Sequence, residues 1–282
     1  MRRFVIIGDG AAGTAAVELL RQEDPQANIT LLSADPNPCY YRAALTNYLM
    51  GELRDGEIWA VPPDFYDRYQ IDRQFCRAAQ IDTTHRVIVG DDGRRFPYDA
   101  LLIATGSRAR YVEVPGSDKA GVGVFRTLQD VNLILHELPQ LKQAVVSGGG
   151  ILGLEWVHGL HERGVHPIFM MRQNRFWAQV LDLAASDIVL SRLERAGVEL
   201  ALSEEVAEVL SRDNLRISGV RTKSGREIEC QLYGMAFGVE PNVEFLEGSG
   251  IAFDRRGVQV NDHMETTIPN VYAAGDVVNY QD

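Results

Sequence analysis

The sequence predicts an α/β protein built from two three-layer units of one plan, the second inserted in the first, and three observations predict it. An apolar run, Phe4-Val5-Ile6-Ile7, passes through Gly8-Asp9-Gly10-Ala11-Ala12-Gly13 into residues 14–21, which carry helical spacing. A second apolar run, Ala144-Val145-Val146-Ser147, passes through Gly148-Gly149-Gly150-Ile151-Leu152-Gly153 into residues 154–163, helical again. Residues 99–106 and 232–238 then hold corresponding places as apolar strands ending in small residues, so the chain carries a long internal repeat.

A G-x-G-x-x-G turn between strand and helix is the fingerprint of a Rossmann-like dinucleotide-binding domain. The first glycine permits the tight turn, the second lets a pyrophosphate approach the backbone, and the third lets helix and strand pack. Candidate contacts are therefore Gly8, Gly10, Ala11, Ala12 and Gly13 in one copy, and Gly148, Gly150, Ile151 and Gly153 in the other. One such turn is weak evidence. Two in the same context are far more specific.

Taken in order, Pro25 stops the first helix, and residues 28–32 read as a strand parallel to the first. An acid about 20 residues beyond the glycines holds a ribose in such domains, and Asp35 is the available carboxylate. It reads equally as a solvated turn aspartate before Pro36. Residues 43–51 have a helical pattern, and Trp59, Phe65, Tyr66 and Tyr69 follow as core filling rather than a ligand cover. Asp91-Asp92-Gly93 reads as a hairpin turn between residues 85–89 and 94–96. Residues 98–106 form a buried strand ending Ala104-Thr105-Gly106, where backbone can approach a ligand.

Residues 107–115 are a connector, and residues 127–141 are helical. After the second glycine turn come a strand at 165–171, a helix at 182–196, and a hairpin meander over 198–230. The last apolar segment ends Ala273-Ala274-Gly275-Asp276, placing a carboxylate where it could accept hydrogen bonds from ligand hydroxyls.

Composition narrows the function. A 45% hydrophobic, 24% charged chain of 282 residues can bury a sizeable core, and a net charge of -11 disfavours nucleic acid and anionic membrane as partners. No apolar stretch is long enough for a membrane span or signal peptide, so a cytoplasmic location is expected. Cys39, Cys76 and Cys230 are widely spaced and are expected to be reduced and structural. His158 and His161, with Glu155 and Glu162 nearby, have metal-ligand spacing, but without a second such helix they read as a solvent-facing stripe, and no metal is expected.

Gly8 to Gly13, Ala104-Thr105-Gly106, Gly148 to Gly153 with Glu155, Gly238-Val239-Glu240-Pro241-Asn242 and Tyr272-Ala273-Ala274-Gly275-Asp276 together resemble the FAD-dependent pyridine nucleotide oxidoreductases. The likeness covers nearly the whole chain and lies with rubredoxin and ferredoxin reductases, apoptosis-inducing-factor-like proteins and the N-terminal part of nitrite reductase large subunits. It implies that the first loop binds FAD, that Asp276 contacts the flavin's ribityl-phosphate region, that Gly238 belongs to the cofactor-binding set, and that Arg42 matches an arginine contacting FAD. The second loop would bind NAD(P)H, whose hydride passes to the flavin. The expected flavin domain is residues 1–115 with 243–282, and the nicotinamide domain residues 116–242.

Departures from the family pattern follow. Ala34 stands where relatives carry a ribose-binding glutamate, and Asn47 where some carry a lysine near the flavin. No redox-active disulfide is expected. Met171 replaces the acid that selects NADH and is followed by Arg172 and Arg175, which favours NADPH or leaves the arginines as solvated loop charges. Glu155 either orients the nicotinamide or lies in a helix. Relatives continue beyond the Gly-Asp turn into an interface domain, so the chain is expected to be a piece of such a protein or a shortened member. The expected activity is NAD(P)H oxidation through FAD to an acceptor protein or small molecule. The alternative is a flavin-binding structural or sensory subunit, and a partner subunit or oligomer is compatible with either.

Overall fold

In the computed structural model, which describes residues 1–54 and 56–280, the chain forms two compact units. The first comprises Met1–Tyr41, Trp59–Arg108 and Glu240–Asp282, and the second Arg42–Ile58 and Ala109–Val239. The expected end of the first domain at Asp282 lies outside the described residues.

The first unit holds a five-stranded parallel sheet in the order Val271–Ala273, Ala100–Ile103, Arg3–Ile7, Asn28–Ser33, Asp72–Phe75. Alternation along the strands feeds two faces. Val5 and Ile7 pack with Leu32, Ile81, Ile88 and Tyr98, whereas Ile6 packs with Val17 of the helix Ala11–Glu23 and with Ile29, Leu31 and Phe65. One face is therefore covered by a small antiparallel sheet, Ala78–Asp82, Val87–Gly90 and Arg95–Pro97, and the other by helix and aromatics. Phe65 is 1% exposed and stacks edge-on against Tyr66, which places the aromatic cluster in the core.

The second unit repeats the plan. Its parallel sheet runs Glu199–Leu202, His166–Met171, Gln143–Ser147, Leu232–Met235, Val122–Val124. An antiparallel sheet of Val206–Ser211, Ile217–Thr222 and Glu227–Glu229 covers one face through Val209, Val220 and Ile228. The helix Ile151–Glu162 lies on the other, with Trp156 buried beside Gly234 and ring-stacked on Phe125. In both units the strand before the glycine turn is central. The outer place beside Ala100–Ile103 in the first unit is filled from downstream (271–273), and that beside Leu232–Met235 in the second from upstream (122–124).

Three local readings change. Residues 199–202 belong to the parallel sheet, not the meander, which begins at Val206 after a left-handed Ser203 (φ 56°). Residues 42–58 group with the second unit, because Gly159 leaves room for Leu49 and Thr46 of the helix Leu45–Met50; a Cβ there would lie 2.8 Å from Leu49. The helix expected at 43–51 is split into a 3-10 turn, Arg42–Ala44, and that helix, which Gly51 ends.

Candidate functional site: two dinucleotide cradles

In the first unit the strands Arg3–Ile7, Ala100–Ile103 and Val271–Ala273 are in register at their C-terminal ends, so the turns leaving them converge. Gly8 turns at φ 116°, a conformation nearly closed to other residues, and a Cβ on it would overlap the carbonyl oxygen of Ala104. Gly13 packs on the carbonyl of Gly8. Gly10, the N-cap of the first helix, has no side-chain cap, and a Cβ built on it would meet nothing within 4 Å. Gly8 and Gly13 are thus demanded by packing, whereas the space beside Gly10 is open. The first-turn N–H groups of Ala11, Ala12 and Gly13 present the positive end of the helix dipole, as an anion cradle requires.

The 104–106 turn meets this loop where Ala104 packs on Gly8, and it is bonded in turn to Asn242. Thr105 Oγ1 donates to the Asn242 carbonyl at 2.9 Å, Asn242 Nδ2 donates to the Thr105 carbonyl at 2.9 Å, and Asn242 N–H donates to the Gly106 carbonyl at 3.0 Å. A Cβ on Gly275 would lie 3.2 Å from that of Ala12, and exposed Asp276 accepts a bond from Ser107 Oγ at 3.2 Å. The structure therefore gathers Gly8, Gly10, Ala11, Ala12, Gly13, Ala104, Thr105, Gly106, Gly275 and Asp276 at one end of one sheet.

Two candidates have protein partners of their own. Asp35 is folded into its own turn: Oδ1 accepts from Asn37 N–H and Nδ2 at 3.0 and 2.9 Å, and Oδ2 from Tyr40 OH at 3.3 Å, with Ala34 exposed beside it. Arg42 lies in the second unit, where its guanidinium donates to the Arg126 carbonyl at 3.1 Å.

Sequence reasoning passed over Asp9. Its side chain is only 2% exposed, pairs with Arg73 at 2.7 Å and accepts from Tyr66 OH at 2.8 Å. Burial raises its pKa above the ordinary carboxylate value although Arg73 and Tyr66 oppose the shift, and the same burial beside Asp9 pushes the Tyr66 phenol up. Asn242 was visible as part of a motif, but only the structure shows its exchange with Thr105. For Asp9 the signal was an acid inside a glycine turn, where no acid is needed for the turn itself.

The second cradle mirrors the first. A Cβ on Gly148 would overlap the Ala236 carbonyl, Gly153 packs on Gly148, and Gly150, the N-cap, again has open space beside it. Ile151 begins the helix and is exposed, and Glu155 is half-buried one turn on. Met171 is buried against Gly149, so an apolar side chain occupies the end of the strand where an acid would read a ribose. Arg172 is exposed, and Arg175 donates to the Ala178 carbonyl at 2.8 Å. Trp177, left-handed at φ 45°, donates its N–H to the Gly149 carbonyl at 2.7 Å, so the following loop folds back onto the glycine turn. Gly238, at φ 91°, accepts from Arg110 N–H.

Away from these turns, His158 is exposed and 3.7 Å from Glu162. The cysteines are buried thiols, Cys230 with its pKa pushed up to about 12 by burial. No described helix is long and apolar enough to cross a membrane.

Two units, each with a glycine turn at the C-terminal edge of a parallel sheet and a helix without a side-chain N-cap behind it, define a protein of two Rossmann-like units. Residues 2–282 match the model of the pyridine nucleotide-disulphide oxidoreductases. The chain is 35% identical over 99% of its length to the nitrite reductase [NAD(P)H] of Bacillus subtilis, covering 35% of that protein. It is 30% identical over 97% of its length to the rubredoxin-NAD(+) reductase of Pseudomonas putida, covering 71% of it. The crystal structure of a ferredoxin reductase from Rhodopseudomonas palustris superposes with a TM-score of 0.92 at 26% identity, over 99% of this chain and 69% of that one. The chain belongs to the pyridine nucleotide-disulphide oxidoreductase family, whose typical cofactors are FAD and NAD(P)H. It spans about a third of the length of the nitrite reductase relative.

Proposed function

We propose that this chain is a flavin-dependent NAD(P)H oxidoreductase module, with FAD on the first cradle, NAD(P)H on the second and electrons passed to an acceptor protein. The observation that carries the reading is the pair of open spaces at Gly10 and Gly150, each at a helix N-terminus whose neighbouring glycines are closed by packing. In this reading the discontinuous first unit is the flavin domain and the second the nicotinamide domain.

When bound, the two cofactors supply hydride transfer from nicotinamide to flavin. The chain's own residues bind and orient. The N–H groups at 11–13 and 151–153 face phosphates, and Asp276, exposed beside Ser107, offers an acceptor to ligand hydroxyls. The Thr105–Asn242 exchange ties the 104–106 turn to the segment at Asn242, and Ala104 packs on Gly8 of the first loop. Met171 and Arg172 favour NADPH, because an apolar floor and a cation suit a ribose phosphate better than a carboxylate would. A protein acceptor is supported by the names of the rubredoxin and ferredoxin reductases that the chain resembles.

The test is a flavin spectrum of the purified protein, followed by anaerobic titration with NADH and NADPH separately. Yellow protein bleached by either, NADPH at lower concentration, is expected. Colourless protein that FAD does not reconstitute overturns the reading.

A further inference from the structure

The first phosphate cradle contains a feature that its anion-binding role does not call for: a buried carboxylate. Asp9 lies between the two glycines that shape the loop, and a pyrophosphate settling there would meet its negative charge. The opposing charge comes from Arg73 on the strand Asp72–Phe75. Its Nε lies 2.7 Å from Asp9 Oδ2, its guanidinium covers the Tyr66 ring at 4.9 Å, and its remaining nitrogens donate to the carbonyls of Asp35, Pro36 and Asn37. Arg73 therefore stands between the loop that leaves the first strand and the turn that leaves the second.

We propose that Arg73 is a charge-compensating residue for FAD, neutralising Asp9 so that the Gly8–Gly10 loop accepts a pyrophosphate. The inference rests on the assignment of FAD to this cradle. It follows from the pairing that the two partners are not equivalent toward the cofactor, although they are equivalent as an ion pair. Without Arg73 the loop keeps an uncompensated carboxylate buried behind the residues that would meet the phosphates. Without the Asp9 charge it keeps a cation that attracts them. A pair that only braced the loop would make both losses alike.

The experiment measures FAD affinity of the apoprotein, by quenching of flavin fluorescence, for wild type, Arg73→Gln, Asp9→Asn and the double variant, with thermal melts of each. Arg73→Gln is expected to weaken FAD at least about tenfold, Asp9→Asn to hold affinity within about threefold or tighten it, and the double variant to recover most of the loss. Equal losses in the two single variants without recovery in the double, or unchanged affinity in Arg73→Gln, overturn the inference. Should Arg73→Gln not fold, Arg73→Lys decides: it keeps the charge and loses the planar fork to the turn carbonyls. Affinity within about threefold of wild type then supports compensation, and a tenfold loss overturns it. A wild-type apoprotein that does not bind FAD at all overturns the assignment of the cofactor itself, a separate outcome from any pattern among the variants.

Discussion

The carbonyl oxygen of Ala104 occupies the space that a side chain on Gly8 would need, and the Ala236 carbonyl stands in the same relation to Gly148. Glycines that share one motif therefore have two different reasons to be glycine. Gly8→Ala combines a left-handed backbone with a carbonyl overlap and is expected to destabilise the protein by about 3 kcal/mol. Gly10→Ala adds a methyl into open space, so its melting temperature should stay near wild type while FAD affinity falls about tenfold or more. Thermal melts beside flavin titrations separate the two, and equal behaviour of both variants would contradict the distinction.

Asn242 and Thr105 bond each other in both directions, which requires a donor on the Asn242 side chain. Asn242→Ala should cost about 1–2 kcal/mol, chiefly from leaving the Thr105 carbonyl unsatisfied. Asn242→Asp also removes the Nδ2 donor, but its carboxylate keeps and strengthens the bond that Oδ1 accepts from Arg108 Nη1 at 3.3 Å, so it should cost no more than alanine. Denaturant unfolding of the two variants measures both losses, and wild-type stability in Asn242→Ala would show that the bond from Nδ2 contributes nothing.

How far these sites were readable in advance follows from their range in the sequence. Gly8 to Gly13 and Gly148 to Gly153 are contiguous, and each follows an apolar run, so the strand–turn–helix plan and the repeat were legible. The Arg73–Asp9 pair spans 64 residues, and nothing local to either residue announces it. Asp35 has the spacing of a ribose acid and equally the setting of a turn aspartate before a proline, and the structure shows its carboxylate accepting from Asn37 within that turn. Residues 42–58 were assigned by sequence position to the first domain, whereas Gly159, far along the chain, provides the space that Leu49 fills. Residues 199–202 were hidden in the meander because a short strand before Ser203 looks the same whether its partner is parallel or antiparallel.

Acid sensitivity has an assignable contributor at the edge of the first sheet. The hydrogen bonds that Arg3 donates hold the Asp99 carboxyl down at about 2. A depressed carboxylate pKa stabilises the folded state above its unfolded value near 4, and that contribution is lost as pH falls through 2. Asp99→Asn should therefore show a flatter loss of stability between about pH 4 and 2 than wild type. The pair is well exposed, so the effect is small and shrinks in salt. Denaturation midpoints across that range at low and high salt measure it; identical profiles for the two proteins would remove Asp99 as a contributor.

Coenzyme choice should reside in the two residues that end the strand His166–Met171 and begin the loop after it. Met171 is buried on Gly149, so it shapes the floor rather than offering a partner, and Arg172 beside it is exposed and cationic. If Arg172 reads the ribose phosphate as proposed, Arg172→Ala should raise the KM for NADPH about tenfold while changing that for NADH by less than about twofold. Met171→Glu is the converse change, but it places a carboxylate where an apolar side chain is now packed, so it should lower the melting temperature as well as shift preference toward NADH. Steady-state kinetics with both coenzymes and an artificial acceptor read the shift, and melts read the packing cost. Equal loss with NADH and NADPH in Arg172→Ala would mean that the arginine acts on the shared part of the two coenzymes and that selection lies elsewhere in the loop.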